Sequence, residues 1–117
     1  MDVREERGEL PLLDKEAALL QLQGDEEFLE ELLSIFHTEI PERRAKLISA
    51  IRDGNMSEIA QEAHSLKGVC MTIGAKSCQK TALDLERAAK DSDQTSVKDI
   101  FPRLKAIMDD LETVLCG

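Results

Sequence analysis

Between Val97 and Leu115 the chain sets apolar side chains at 97, 101, 104, 108, 111 and 115, in alternating steps of four and three. That spacing keeps all six on one side of an α-helix and leaves the other side to water. A helix with a single apolar stripe has no stable existence by itself, so the rest of the chain must supply helices that cover the seam. Pro102 falls within the first two turns of this helix, where a missing N–H is tolerated better than deeper inside.

Three further segments carry the same period. Asp25 opens a long helix, with Glu26 and Glu27 in the first turn, where the helix dipole favours anions. Its apolar residues Phe28, Leu32, Ile35, Phe36, Ile40, Leu47, Ile48 and Ile51 define the stripe expected to be buried. Pro41 removes one helical donor, and a kink is expected there, not an end, because the stripe continues beyond it. The "DGN" turn at 53–55 stops the helix, with Gly54 as a left-handed cap. Asn55 and Glu58 form a capping-box variant that starts the next helix, whose inward face is Ile59, Ala63, Leu66, Cys70 and Ile73, ending at Gly74. A helix over about 75–90 buries Cys78, Ala82, Leu85 and Ala89.

Ahead of these, Asp14 caps a short helix over "KEAALLQL", and residues 1–11 read as a flexible tail that leaves 12–117 as the domain. No stretch alternates as a strand does. The expected fold is all-α, an antiparallel up-down four-helix bundle with a short additional N-terminal helix across one end. Composition agrees: with aromatics at 3% and apolar residues at 42%, the core is aliphatic, whereas sheets lean on aromatic and β-branched residues.

The formal net charge of −9 speaks against nucleic acid and anionic membranes, whose phosphates are held by Lys and Arg. No apolar run approaches the length of a membrane span, and the charged start is no signal peptide. Three cysteines without CxxC spacing read as reduced thiols in a cytoplasmic protein, with Cys70 and Cys78 as small core residues. His37 reads as an ordinary surface histidine.

The outward strip of the helix between Asn55 and Gly74 is different. Ala60, Gln61, His64, Lys67, Gly68 and Met71 adjoin one another on the side opposite the buried stripe. An exposed neutral imidazole is a nucleophile that titrates near cytoplasmic pH. Lys67 offers positive charge to an anion on that imidazole, and Gly68 clears space for another protein's surface. Gly74 lies ten residues after His64 and Glu86 twelve beyond Gly74, so antiparallel helices bring Glu86 to the height of His64. There Glu86 can orient the ring through Nδ1, with Gln61 as the other candidate. A histidine carrying a phosphoryl group between two proteins fits these parts.

The "AHSLKG" stretch, followed by Gly74, resembles the signature of histidine phosphotransfer (HPt) domains of multistep two-component relays, and is similar to the first domain of chemotaxis kinases. The resemblance implies that His64 accepts phosphoryl from a receiver-domain aspartate and relays it to a response regulator, that Lys67 stabilises the phosphate and that Gly68 permits docking. It places the residue bonding Nδ1 at Glu86, where many relay members carry Gln, whereas Glu resembles the chemotaxis-kinase type and many hybrid-kinase modules. It further implies no cofactor or metal of its own, Mg²⁺ arriving with the receiver. Partners would be receiver domains of response regulators or hybrid kinases, met by a monomer.

No Gly-rich phosphate loop is present, so the chain is expected to be a phosphocarrier and not an autokinase or an enzyme with turnover. Docking is expected through apolar residues left exposed around His64, namely Leu13, Ala17, Leu20, Leu32, Ala60 and Met71. Two other readings stand beside this one: a helical interaction module that is never phosphorylated, and the phosphoacceptor domain of a chemotaxis-type kinase.

Overall fold

The computed structural model describes residues 10–116. It contains α1 (Lys15–Gln21), α2 (Glu26–Arg52), α3 (Met56–Ile73), α4 (Lys76–Lys90) and α5 (Gln94–Cys116). Each of α2 to α5 packs against its two neighbours in a closed ring, and α1 lies against α2 and α3. Short turns join the four long helices, so consecutive helices run antiparallel. The longest dimension, 40 Å, matches the span of α2 at about 1.5 Å per residue.

Caps form where short polar side chains precede the helices. Asp14 accepts from the Ala17 N–H at 3.0 Å, and Asp25 from the Phe28 N–H at 2.9 Å. Asn55 accepts from the Glu58 N–H at 3.1 Å while its amide donates to the Glu58 carboxylate at 3.2 Å, completing the reciprocal cap. Asp93 starts α5 by accepting from the Ser96 N–H and hydroxyl. Helix α2 runs through Pro41 without ending.

All of the inward residues expected on α3 are buried, as are Cys78, Ala82, Leu85 and Ala89 of α4 and Val97, Leu104, Met108 and Leu111 of α5. Phe101 and Leu115 are partly buried against the same core. The stripe of α2 is corrected. Leu29, Leu33, Phe36, Ile40, Leu47 and Ala50 face the core, and Phe28, Ile35 and Ile48 are exposed. Apolar residues stand in adjacent pairs at 28/29, 32/33, 35/36 and 47/48, so two overlapping stripes satisfy the same period. Contact with both α3 and α5 selects the stripe that points along the bundle axis.

The segment ahead of α1 packs against the bundle. Pro11, Leu12 and Leu13 are buried, and the Pro11 carbonyl accepts from the Ser77 N–H at 3.0 Å. Helix α4 has no side-chain cap of its own, so this backbone bond satisfies one of its unpaired amides. Residues 1–9 of the expected tail lie outside the described residues.

Candidate functional site

Because α3 turns its apolar face inward, His64 stands on the outer side with its side chain 65% exposed. Glu86 reaches it from α4, with a side chain only 4% exposed at the edge of the α3–α4 contact. His64 Nδ1 lies 3.0 Å from Glu86 Oε2, and Lys67 Nζ donates to Glu86 Oε1 at 3.0 Å. Lys90, one turn further along α4, places its ammonium 3.0 Å from Oε2. Three groups from two helices therefore converge on one carboxylate.

Burial pushes the Glu86 carboxyl upward, but the hydrogen bonds from Lys67, Lys90 and His64 and the charge of Lys67 outweigh it. The balance lowers the group from an ordinary 4.5 to about 2. At neutral pH Glu86 is a carboxylate and can only accept. The proton of the His64–Glu86 bond therefore sits on Nδ1, and in the neutral ring the lone pair is on Nε2.

That shift also fixes a sign for pH dependence. The folded carboxyl binds its proton less readily than the unfolded one, so its stabilisation is present above about 4.5 and is lost as pH falls toward 2. The contribution is on the order of 3 kcal/mol. Denaturant melts at pH 6, 4 and 3 are expected to show Glu86→Gln losing less stability on acidification than wild type. Parallel curves for the two proteins would remove Glu86 from the acid sensitivity of the fold.

Lys67 is bonded to Glu86, and not extended toward solvent, with 23% of its side chain exposed. Gln61 is exposed, and the Nδ1 position is taken by Glu86, so Gln61 is not the orienting residue. Gly68 has nothing within 4 Å of where a Cβ would stand. The glycine is therefore required by no contact inside the protein. Lys90 was not among the residues singled out from sequence, although a Glu–Lys pair four apart on a helix was a readable signal.

Of the six residues expected at a docking surface, Leu20 is 80% exposed and Met71 is exposed. Ala17, Leu32 and Ala60 are half-buried. Leu13 is buried in the core cluster and is withdrawn as a docking residue, because the Pro11–Leu13 segment seals the α1 end of the bundle. Gln21 ties α1 to α3 by donating to the Met71 carbonyl at 2.9 Å. Phe28 and Ile35 are exposed on α2. On α2 they share a strip with Arg43, which reaches Ser65 of α3 at 3.1 Å.

Among the described residues no group of three or more His, Cys, Asp or Glu is arranged to hold a metal ion, and no helix is long and apolar enough to cross a membrane. The family model of the Hpt domain matches residues 31–114. This chain belongs to the Hpt family. Two solved structures share its fold. Histidine-containing phosphotransfer protein B (HptB) of Pseudomonas aeruginosa matches with a TM-score of 0.80 and 21% identity, over 90% of this chain and 91% of that one. The HPT domain of a sensor hybrid histidine kinase from Shewanella matches with a TM-score of 0.82 and 18% identity, over 89% and 90%. A search of curated proteins finds no match. The role of this Hpt domain is histidine phosphotransfer.

Proposed function

We propose that His64 is the residue on which this Hpt domain carries phosphoryl, taken from the aspartyl phosphate of one receiver domain and passed to the aspartate of another. The observation that carries this reading is the bond between exposed His64 and the buried, ionised Glu86. It holds Nδ1–H inward and leaves Nε2 as the attacking atom. As the N–P bond forms, the P–O bond to the aspartate breaks and the carboxylate leaves with its electron pair. The ring becomes an imidazolium whose Nδ1–H faces the negative charge of Glu86, which stabilises the intermediate. Transfer onward reverses these changes. Mg²⁺ belongs to the receiver, and the domain acts as a carrier and not as an enzyme with its own turnover.

The receiver docks on the α1–α2–α3 side. Leu20, Phe28, Ile35 and Met71 are the exposed apolar residues that these three helices offer, with Ala17, Leu32 and Ala60 half-buried. A transient interface of modest size suits exposed residues of this kind. Gly68 lies beside it and lets the partner's backbone approach. Gly68→Ala is expected to raise stability by about 0.5–1 kcal/mol, since helix propensity improves and no atom is displaced. Gly68→Gln is expected to slow transfer at unchanged helix content. Transfer at the wild-type rate in stopped-flow assays with Gly68→Gln would remove Gly68 from docking.

The test of the assignment is incubation with a phosphorylated receiver and Mg²⁺, followed by peptide mapping of the label. An acid-labile, alkali-stable phosphoryl group on the peptide containing His64 is expected. Partner binding without any such label would leave a plain interaction module. Labelling that requires an ATP-bound kinase domain and no receiver would make this a kinase's acceptor domain.

A further inference from the structure

Between α2 and α3 runs a polar groove of about 220 Å³, lined by Glu39, Glu42, Arg43, Lys46, Glu62 and Ser65. Its two cations are already engaged. Arg43 donates to Glu39 at 3.1 Å and to Ser65 at 3.1 Å, and the Lys46 ammonium lies 3.5 Å from Glu42. Glu62 is half-buried and has neither a hydrogen bond nor an ion pair among the described residues. Three carboxylates against two cations leave the groove negative, with one acceptor to spare. We infer that this groove receives a lysine or arginine side chain of the docked receiver domain. The partner that fits therefore carries a basic residue beside an apolar contact surface. This rests on phosphotransfer from a receiver, as proposed above.

Helix geometry places the groove within the docking side. On α3, Ser65 adjoins Gln61 and Gly68, four and three positions away, and Gly68 adjoins His64 in turn. On α2, Phe28, Ile35, Glu39 and Glu42 follow at steps of seven, four and three. Two exposed apolar residues and two carboxylates of the groove therefore share one strip. A partner that spans from Phe28 and Ile35 to His64 crosses the groove. The charge on this side also has one sign. From Glu16 to Glu42 the chain carries eight Asp and Glu and no Lys or Arg, which draws a basic surface toward α2 and speeds encounter. An anion fits the groove poorly, because the Arg43 guanidinium is spent on Glu39 and Ser65 with its side chain 18% exposed. A cation gains most at Glu62, whose half-buried carboxylate has no counter-charge.

The probe is a receiver domain that labels the wild-type chain, loaded with acetyl phosphate and Mg²⁺, its aspartate gaining the phosphoryl as acetate leaves. Rapid-quench transfer is followed in wild type, Glu62→Gln, Glu42→Lys and Asp99→Lys. Asp99 is exposed on α5, which packs on α2 and α4, so Asp99→Lys changes net charge as Glu42→Lys does without entering the groove. The wild-type second-order rate constant is expected to fall about tenfold from low to high ionic strength. At low ionic strength Glu62→Gln and Glu42→Lys are expected to be about fivefold slower than wild type at unchanged helix content. Asp99→Lys is expected to stay within about twofold. One receiver Lys or Arg is expected whose replacement by Ala slows transfer to wild type but not to Glu62→Gln. Equal rates for Glu62→Gln and wild type, the same loss in Asp99→Lys, or no coupled receiver residue would overturn the inference. Absence of label on wild type from every receiver would instead overturn phosphotransfer itself, so the two failures read differently.

Discussion

His64→Gln is expected to take up no phosphoryl from a phosphorylated receiver, while melting within a degree or two of wild type. Glutamine is the informative replacement because its amide N–H can donate to Glu86 Oε2 as the ring does at 3.0 Å. The buried carboxylate keeps three donors, so the fold keeps its charge balance. What disappears is the nucleophile, since an amide nitrogen has no available lone pair at neutral pH. A loss of label together with an intact melt therefore isolates the chemistry. Residual acid-labile label at the wild-type level would assign the acceptor elsewhere, and His37 on α2 is the other histidine of the chain.

Gly74→Ala is expected to give the largest loss of stability of any single methyl added to this chain. The backbone at Gly74 has φ of +77°, which an L side chain adopts only with strain. Its Cβ would stand 2.2 Å from the Asp14 carbonyl oxygen and 3.0 Å from that carbonyl carbon. Neither atom is free to yield. The Asp14 N–H donates to the Gly74 carbonyl at 2.8 Å, and the Asp14 carbonyl accepts from Ala18 to begin α1. The added methyl thus separates α1 and the Pro11–Leu13 segment from the α3–α4 turn. A loss on the order of 3 kcal/mol, roughly 10–15 °C in melting temperature, is expected by circular dichroism. Gly24→Ala is the control, with φ of +80° and nothing within 4 Å of its Cβ. It carries the conformational strain without the clash and is expected to lose about 1 kcal/mol. Equal melting temperatures for the two variants would show that the close approach to Asp14 is not what requires glycine.

Much of this arrangement was legible before any coordinates. The inward face of α3 follows from spacing alone, because Ile59, Ala63, Leu66, Cys70 and Ile73 form a single uninterrupted stripe. Once that face is buried, His64, Lys67 and Gly68 have nowhere to go but outward. The ends of the helices follow equally from local chemistry, since Asp14, Asp25 and Asn55 bond amides only three residues away. The approach of Glu86 to His64 was readable for a related reason: two straight helices leaving one turn rise at the same rate.

Where local rules offered two answers, only packing chose. On α2 the paired apolar residues allow either of two stripes, and the neighbours α3 and α5 bury Leu29 and Leu33 and leave Phe28 and Ile35 to solvent. Leu13 is as apolar as Leu20, yet one seals the end of the bundle and the other stands in water. The meeting of Lys67, Lys90 and His64 on Glu86 is also a property of the assembled helices. Its energetics depend on the burial of the carboxylate, which no spacing in α4 specifies. The sequence by itself determined which residues are helical and that His64 faces water, because hydrogen bonds and periodicity act within a few residues. The tertiary structure decided which carboxylate oxygen each cation holds and which apolar residues remain exposed. Burial and charge pairing depend on atoms that only the folded chain brings together.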